Sequence, residues 1–170
     1  FKAWAATLPK LIGNPLYHWT YLELKNYFGV TEQLDESSAK KIYDKCNRTL
    51  AKKSMSVRGI IDRSKVKLIC TTDDPIDSLE YHELLAKDES FKTVVAPSFR
   101  PDKALNLNND GFTDYIKALS DVSGIDIKTV SSLKEALGKR IEYFNEKGCR
   151  ASDHGLNYIP FALMSEERMN

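Results

Sequence analysis

The side chains of this sequence best suited to chemistry are Arg100, Asp102, Asp73, Asp74, Asp153 and His154, and they fall in three short polar clusters. The clusters read Thr71-Thr72-Asp73-Asp74-Pro75, Phe99-Arg100-Pro101-Asp102-Lys103 and Ser152-Asp153-His154-Gly155. A guanidinium donates two parallel hydrogen bonds, so Arg100 suits a carboxylate or phosphate ligand. Pro101 holds the residue before it extended, and Asp102 stands where it can orient the fork. Asp73 and Asp74 can bind a divalent metal, orient a base or hold sugar hydroxyls. Asp153 beside His154 pairs a carboxylate with the side chain best suited to moving protons near neutral pH. Asp153 and His154 are therefore the candidate catalytic groups, and Arg100, Asp102, Asp73 and Asp74 the candidate binding groups. Each has a plainer reading. Arg100 can pair with Asp102 or Asp73 merely to tie loops together, Asp before Pro commonly starts a turn or caps a helix, and strand ends also hold structural histidines. His18 and His82 read as packing or surface residues. The histidines lack HxH or HExxH spacing, and no GxGxxG, P-loop or GxSxG motif occurs.

Each cluster follows a short apolar run: Val66 to Cys70, Thr93 to Ala96, and Cys149 to Ala151. The first, rich in β-branched residues and stopped by Asp and Pro, predicts a strand buried on both faces. Helical sequence separates the three. Asp77-Ser78-Leu79-Glu80 resembles a capping box opening a helix from Ser78 to about Lys87. Phe112, Tyr115, Ile116 and Leu119 mark a helix closed by Gly124. Ser132 to Glu135 predicts a second capping box, with Leu133, Leu137, Ile141 and Phe144 along its helix and Gly148 just past the end. Alternating strands and helices imply parallel βα units with right-handed crossovers, which bring polar clusters together at the strands' carboxyl ends.

Residues 1–57 contain no convincing strand. Lys2 to Leu8 predicts a short helix, Leu11 to Tyr17 a loop broken by Gly and Asn-Pro, and Trp19 to Phe28 a helix ended by Gly29. Glu36 to Lys53, behind a possible Asp35 cap, carries Ala39, Ile42, Tyr43, Cys46 and Leu50 at helical spacing. A further turn, Val57 to Ile61, leads toward the first strand. The expected organisation is a helical segment over 1–57 followed by βα units over 58–170.

The 170 residues suffice for a real core, and 42% hydrophobic with 29% charged residues excludes global disorder. A formal net charge of +1 gives no electrostatic reason to expect nucleic acid or an anionic membrane as partner. No apolar run approaches the roughly 18 residues of a membrane span. Three scattered cysteines, Cys46, Cys70 and Cys149, argue against a disulfide framework or zinc site and read as buried thiols in a reducing compartment. The start at Phe1 and the helical turn at Ser165 to Asn170 both read as internal to a longer chain.

Four stretches carry a resemblance: Leu11-Ile12-Gly13-Asn14-Pro15-Leu16-Tyr17-His18-Trp19-Thr20, Cys70-Thr71-Thr72-Asp73-Asp74-Pro75-Ile76-Asp77-Ser78-Leu79, Phe99-Arg100-Pro101-Asp102-Lys103-Ala104 and Gly148-Cys149-Arg150-Ala151-Ser152-Asp153-His154. In this order and spacing the chain resembles the uronate (glucuronate) isomerases of the amidohydrolase superfamily. The resemblance implies an α/β fold, a segment of a distorted (β/α)₈ TIM-type barrel. The three strands would be the second, third and fourth, and residues 1–57 a helical insertion after the first. It implies a cytoplasmic enzyme of hexuronate breakdown that interconverts D-glucuronate with D-fructuronate and D-galacturonate with D-tagaturonate. It also implies a divalent metal, with zinc the expected ion, held by a His-x-His pair and an Asp that do not occur in this chain. No metal is therefore expected on this segment. Arg100 matches the Arg of the family's RPDK motif, the residue expected to hold the hexuronate. Asp73, Asp74, Asp102, Asp153 and His154 would line the same barrel mouth. Two other readings of the segment are an acidic-sugar binding module and a purely structural piece whose unpaired strands invite homo-oligomers.

Overall fold

A computed structural model describes residues 1–155. The chain forms two compact units, Phe1–Lys65 and Val66–Asn170.

The first unit is helical among its described residues. Helix α1 (Lys2–Thr7) passes into a 3₁₀ turn at Leu8–Lys10, and α2 follows over Pro15–Phe28. The expected loop through Asn14-Pro15 is instead the start of α2. The Asn14 side chain accepts the Leu16 amide at 3.0 Å, and Pro15 occupies the first helical position, where a missing N–H costs nothing. Gly29 closes α2 at φ 62°, a left-handed conformation that glycine adopts without strain. Helix α3 (Ala39–Leu50) is shorter than its periodic sequence, because Asp35 organises a turn before it by accepting the Ser37 and Ser38 amides at 2.8 and 3.0 Å. Leu8, Leu34 and Ile42 are fully buried at the centre of this unit, and α4 (Val57–Arg63) completes it behind a Ser56 cap.

The second unit is α/β. Strands β1 (Leu68–Cys70) and β2 (Val94–Ala96) pair in parallel, with Ile69 opposite Val95, and α5 (Glu80–Ala86) lies between them in sequence. The third expected strand is reduced to one parallel bridge, Phe99 to Ser152, because a single residue pair carries the ladder there. Burial of β1 on both faces does not hold either. Leu68 is 56% and Val94 59% exposed, since no described element covers the face they share with Cys70. Cys70 is accordingly an exposed thiol, while Cys46 and Cys149 are buried as expected.

The remaining helices are α6 (Asp102–Leu105), α7 (Phe112–Ser123) and α8 (Val130–Glu146). Gly124 closes α7 in the left-handed region, as its place in the sequence predicts, and Gly148 at φ 94° stands just past α8. Both capping boxes are corrected. Helix α8 begins three residues early, because Thr129 and Ser132 cap each other's backbone amides reciprocally. Helix α5 has no side-chain cap, because the Asp77 carboxylate turns back to accept the Asp74 amide at 2.8 Å. Phe99 and Phe144 meet edge to face at 5.1 Å, and Leu119 and Ala136 are fully buried where α7 packs on α8. These contacts fix the strand ends against α8.

Candidate active site

The backbone brings the three polar clusters side by side. Beyond β1 the parallel pairing continues irregularly: the Asp73 amide donates to Ser98 O at 3.0 Å, and the Arg100 amide donates to Asp73 O at 2.9 Å. On the other side the Phe99 amide donates to Ala151 O at 3.0 Å, and the Asp153 amide to Phe99 O at 3.2 Å. The Arg100 segment is thus the middle of three, stapled to both neighbours by main-chain bonds that do not depend on side-chain identity.

Arg100 pairs with Asp153, and with neither Asp102 nor Asp73. Its Nε donates to Asp153 Oδ1 at 3.1 Å, and its Nη2 donates to Asp153 Oδ2. One edge of the guanidinium is used in this way. Nη1, on the other edge, has no hydrogen-bond partner among the described residues. The Asp153 bond raises the Arg100 pKa, so the fork is firmly cationic. The pair is about two-fifths exposed, open to a ligand. Asp102, in the first turn of α6, accepts from His154 Nδ1 at 2.8 Å and from the Gly155 amide at 2.5 Å. Burial opposes its charge, but the Gly155 amide, the His154 imidazole and Arg100 outweigh this and hold its carboxyl below the usual range. A Cβ on Gly155 would stand 3.3 Å from Asp102 Oδ2 and 3.7 Å from Arg100 Nη1, so this position sits against both binding groups.

The two aspartates of the first cluster are more enclosed. Asp74 accepts from the Tyr115 hydroxyl at 2.9 Å and the Ile76 amide at 3.2 Å, and pairs with Lys103 at 3.2 Å. Burial first, and the Asp74 charge second, raise the Tyr115 pKa, so the phenol stays protonated and donates. Asp73 accepts from Thr71 Oγ1 at 2.6 Å and from the Ser98 amide at 3.2 Å. His18 is exposed on α2, edge to face with Tyr17. His82 is no surface residue. Its Nε2 lies 2.7 Å from Thr71 Oγ1 and 3.8 Å from Asp73 Oδ1, and its side chain is only 12% exposed.

Sequence reasoning missed His82, Tyr115 and Arg140. Arg140 on α8 is buried, donating from Nε to Pro75 O at 2.6 Å and from Nη2 to Asp77 O at 2.9 Å, with its guanidinium 4.1 Å from the Tyr143 ring centroid. The available signal was polarity on a core face. Arg140 lies three residues after Leu137 and four before Phe144, on the stripe that α8 buries. Among the described residues no three His, Cys, Asp or Glu side chains converge on one ion position. The carboxylates at the strand ends are engaged by the partners named above.

Parallel βα units that bring Arg100, His154 and four aspartates together at the strand ends define an α/β enzyme-like class. Within it the chain belongs to the glucuronate isomerase family, whose model matches residues 1–170. It is 47% identical over 168 residues to the uronate isomerase of Oceanobacillus iheyensis and 49% identical over 169 residues to that of Actinobacillus succinogenes, in each case 99% of this chain and 36% of the relative. The crystal structure of uronate isomerase from Thermotoga maritima superposes with a TM-score of 0.87 at 33% identity, covering 98% of this chain and 36% of that one. Glucuronate isomerase from Caulobacter crescentus gives 0.85 at 26%, covering 98% and 35%. The chain spans about 36% of the length of the curated relatives it matches.

Proposed function

We propose that this chain is the part of a uronate isomerase that grips the substrate carboxylate, and that the complete enzyme interconverts D-glucuronate with D-fructuronate and D-galacturonate with D-tagaturonate. The observation that carries this reading is Arg100, with one edge held by Asp153 and the other without a hydrogen-bond partner among the described residues. An aldose–ketose interconversion moves a proton between C2 and C1 through an enediol. It needs a base, an electrophile at the carbonyl oxygen and a grip on the rest of the substrate. Arg100 supplies the grip: Nη1 and the free side of Nη2 donate to the hexuronate carboxylate, while Asp153 fixes the plane of the fork. His154, oriented through Nδ1 by Asp102, presents its other nitrogen as the proton-transfer group. Asp73 and Asp74 act as supports for the Arg100 and Lys103 loops, Asp73 through the Thr71 hydroxyl and the Ser98 amide, and Asp74 through Tyr115 and Lys103.

The described residues do not fit the divalent metal, zinc, that the resemblance implies, and no step above runs through it. Its ligands would lie outside this segment. The sequential, all-parallel order of β1, β2 and the Ser152 bridge, together with the uncovered face at Leu68 and Val94, supports a segment of a (β/α)₈ barrel. No described helix is long and apolar enough to cross a membrane, and the family's place in hexuronate breakdown supports a cytoplasmic enzyme.

Arg100→Ala in the complete enzyme tests the assignment. Removing the charged contact to the substrate is expected to lower kcat/KM for glucuronate by about ten-fold or more, chiefly through KM. Unchanged kcat and KM would remove Arg100 from the site.

A further inference from the structure

We propose that His82, on α5, is a positioning residue for Arg100, acting through Thr71 and Asp73. The inference rests on the assignment of Arg100 as the carboxylate grip. The donors and acceptors leave one consistent arrangement. The Thr71 hydroxyl has a single proton, and at 2.6 Å from Asp73 Oδ2 it is committed to that carboxylate. The 2.7 Å contact between Thr71 Oγ1 and His82 Nε2 therefore needs its proton from the imidazole, so His82 carries N–H at Nε2. The path then runs from His82 Nε2–H to Thr71 Oγ, from Thr71 Oγ–H to Asp73 Oδ2, and from the Asp73 carbonyl to the Arg100 amide at 2.9 Å. Asp73 Oδ2 also accepts the Ser98 amide at 3.2 Å, which locks the residue two before Arg100 to the same carboxylate. The imidazole thus fixes a hydroxyl whose rotation would otherwise free the Asp73 side chain, and with it the turn that sets the Arg100 backbone.

The other imidazole nitrogen separates this role from packing. Nδ1 is buried and has no hydrogen-bond partner among the described residues. A buried unsatisfied nitrogen opposes folding. Leucine would fill the same space without it, so packing gives no reason for an imidazole here. The bond made by Nε2 does.

The test uses the complete isomerase with the His82→Leu, His82→Gln, Thr71→Val and His82→Leu/Thr71→Val variants, comparing kcat, KM and thermal midpoint. Glutamine places an amide N–H close to where histidine places Nε2–H. A misplacement near 1 Å at a binding group costs up to about a hundred-fold. The His82→Leu variant is therefore expected to lose about ten- to a hundred-fold in kcat/KM for glucuronate, mostly through KM, with a thermal midpoint at or above wild type. The Gln variant should recover most of the loss. The double variant should cost little more than the larger single one, as members of one path do. Unchanged kcat/KM in His82→Leu, or a Gln variant as impaired as the Leu variant, overturns the inference. If His82→Leu does not fold, Thr71→Val against Thr71→Ser decides on the same criteria, with Ser expected to keep the activity. A wild-type enzyme inactive on hexuronates overturns the functional assignment and this inference together. An active wild type with indifferent His82 variants overturns this inference alone.

Discussion

Arg100 bonds the Asp153 carboxylate and His154 the Asp102 carboxylate side by side, and the Asp102 contact has a defined pH dependence. The Asp102 carboxyl is held below its ordinary value in the folded chain, so its contribution to order is present above the unfolded value of about 3.9 and is lost as the pH falls through the lower, folded one. Amide exchange at Gly155, whose N–H bonds Asp102, taken relative to the rate of an unstructured amide at the same pH, is expected to rise as the solution is acidified below about pH 4 and to be level above it. Exchange that shows no such rise would place the Gly155 amide on another acceptor. At this scale the sequence was informative where chemistry and chain neighbours coincide. Arg100 stands out because Pro101 and Asp102 follow it, whereas its partner, Asp153, lies 53 residues away and is found only by folding. His82 was missed for the same reason. Nothing adjacent to it in α5 hints at Thr71.

Helix α8 does more than pack against Phe99 and α7. Through Arg140 it holds the Pro75 and Asp77 carbonyls of the turn that carries Asp73 and Asp74. Burial lowers the Arg140 pKa, and the faces of Tyr143 and Phe144 lie against the cation instead of a carboxylate. Replacing Arg140 with leucine leaves two carbonyls without donors, and the expected loss is about 2–3 kcal/mol. It would appear as a lower urea midpoint at unchanged slope. A midpoint within error of wild type would show that the turn holds itself. Helix positions were legible because the apolar stripes of α3, α7 and α8 repeat at helical spacing. Helix starts were less so. Thr129 and Ser132 competed with a second plausible cap at Ser132 and Glu135, and the Asp77 side chain was drawn into a turn that periodicity does not register.

Across the whole molecule, each unit has its own buried cluster, and only the second places the candidate site. Its sheet leaves Leu68, Cys70 and Val94 on an uncovered face, and β1 pairs with no described strand but β2. Apolar surface and an open strand edge together favour association, so this chain alone is expected to scatter more light per unit mass as its concentration rises. A constant monomer mass into the high-micromolar range would show that the face is covered in solution. The parallel βα character was legible from alternating apolar runs and helices. The exposure of β1 was not, because an apolar run specifies what a strand needs around it and not whether this stretch of chain provides it.

The hydroxyl of Tyr115, buried and bonded to Asp74, has one consequence in alkali. Its pKa is raised in the fold, so the stability it contributes is intact below the unfolded value of about 10 and declines as the pH climbs above it. In a spectrophotometric titration the absorbance of Tyr115, taken as the difference from Tyr115→Phe, should appear late and in step with loss of helical dichroism, making this ring an optical reporter of when its unit opens.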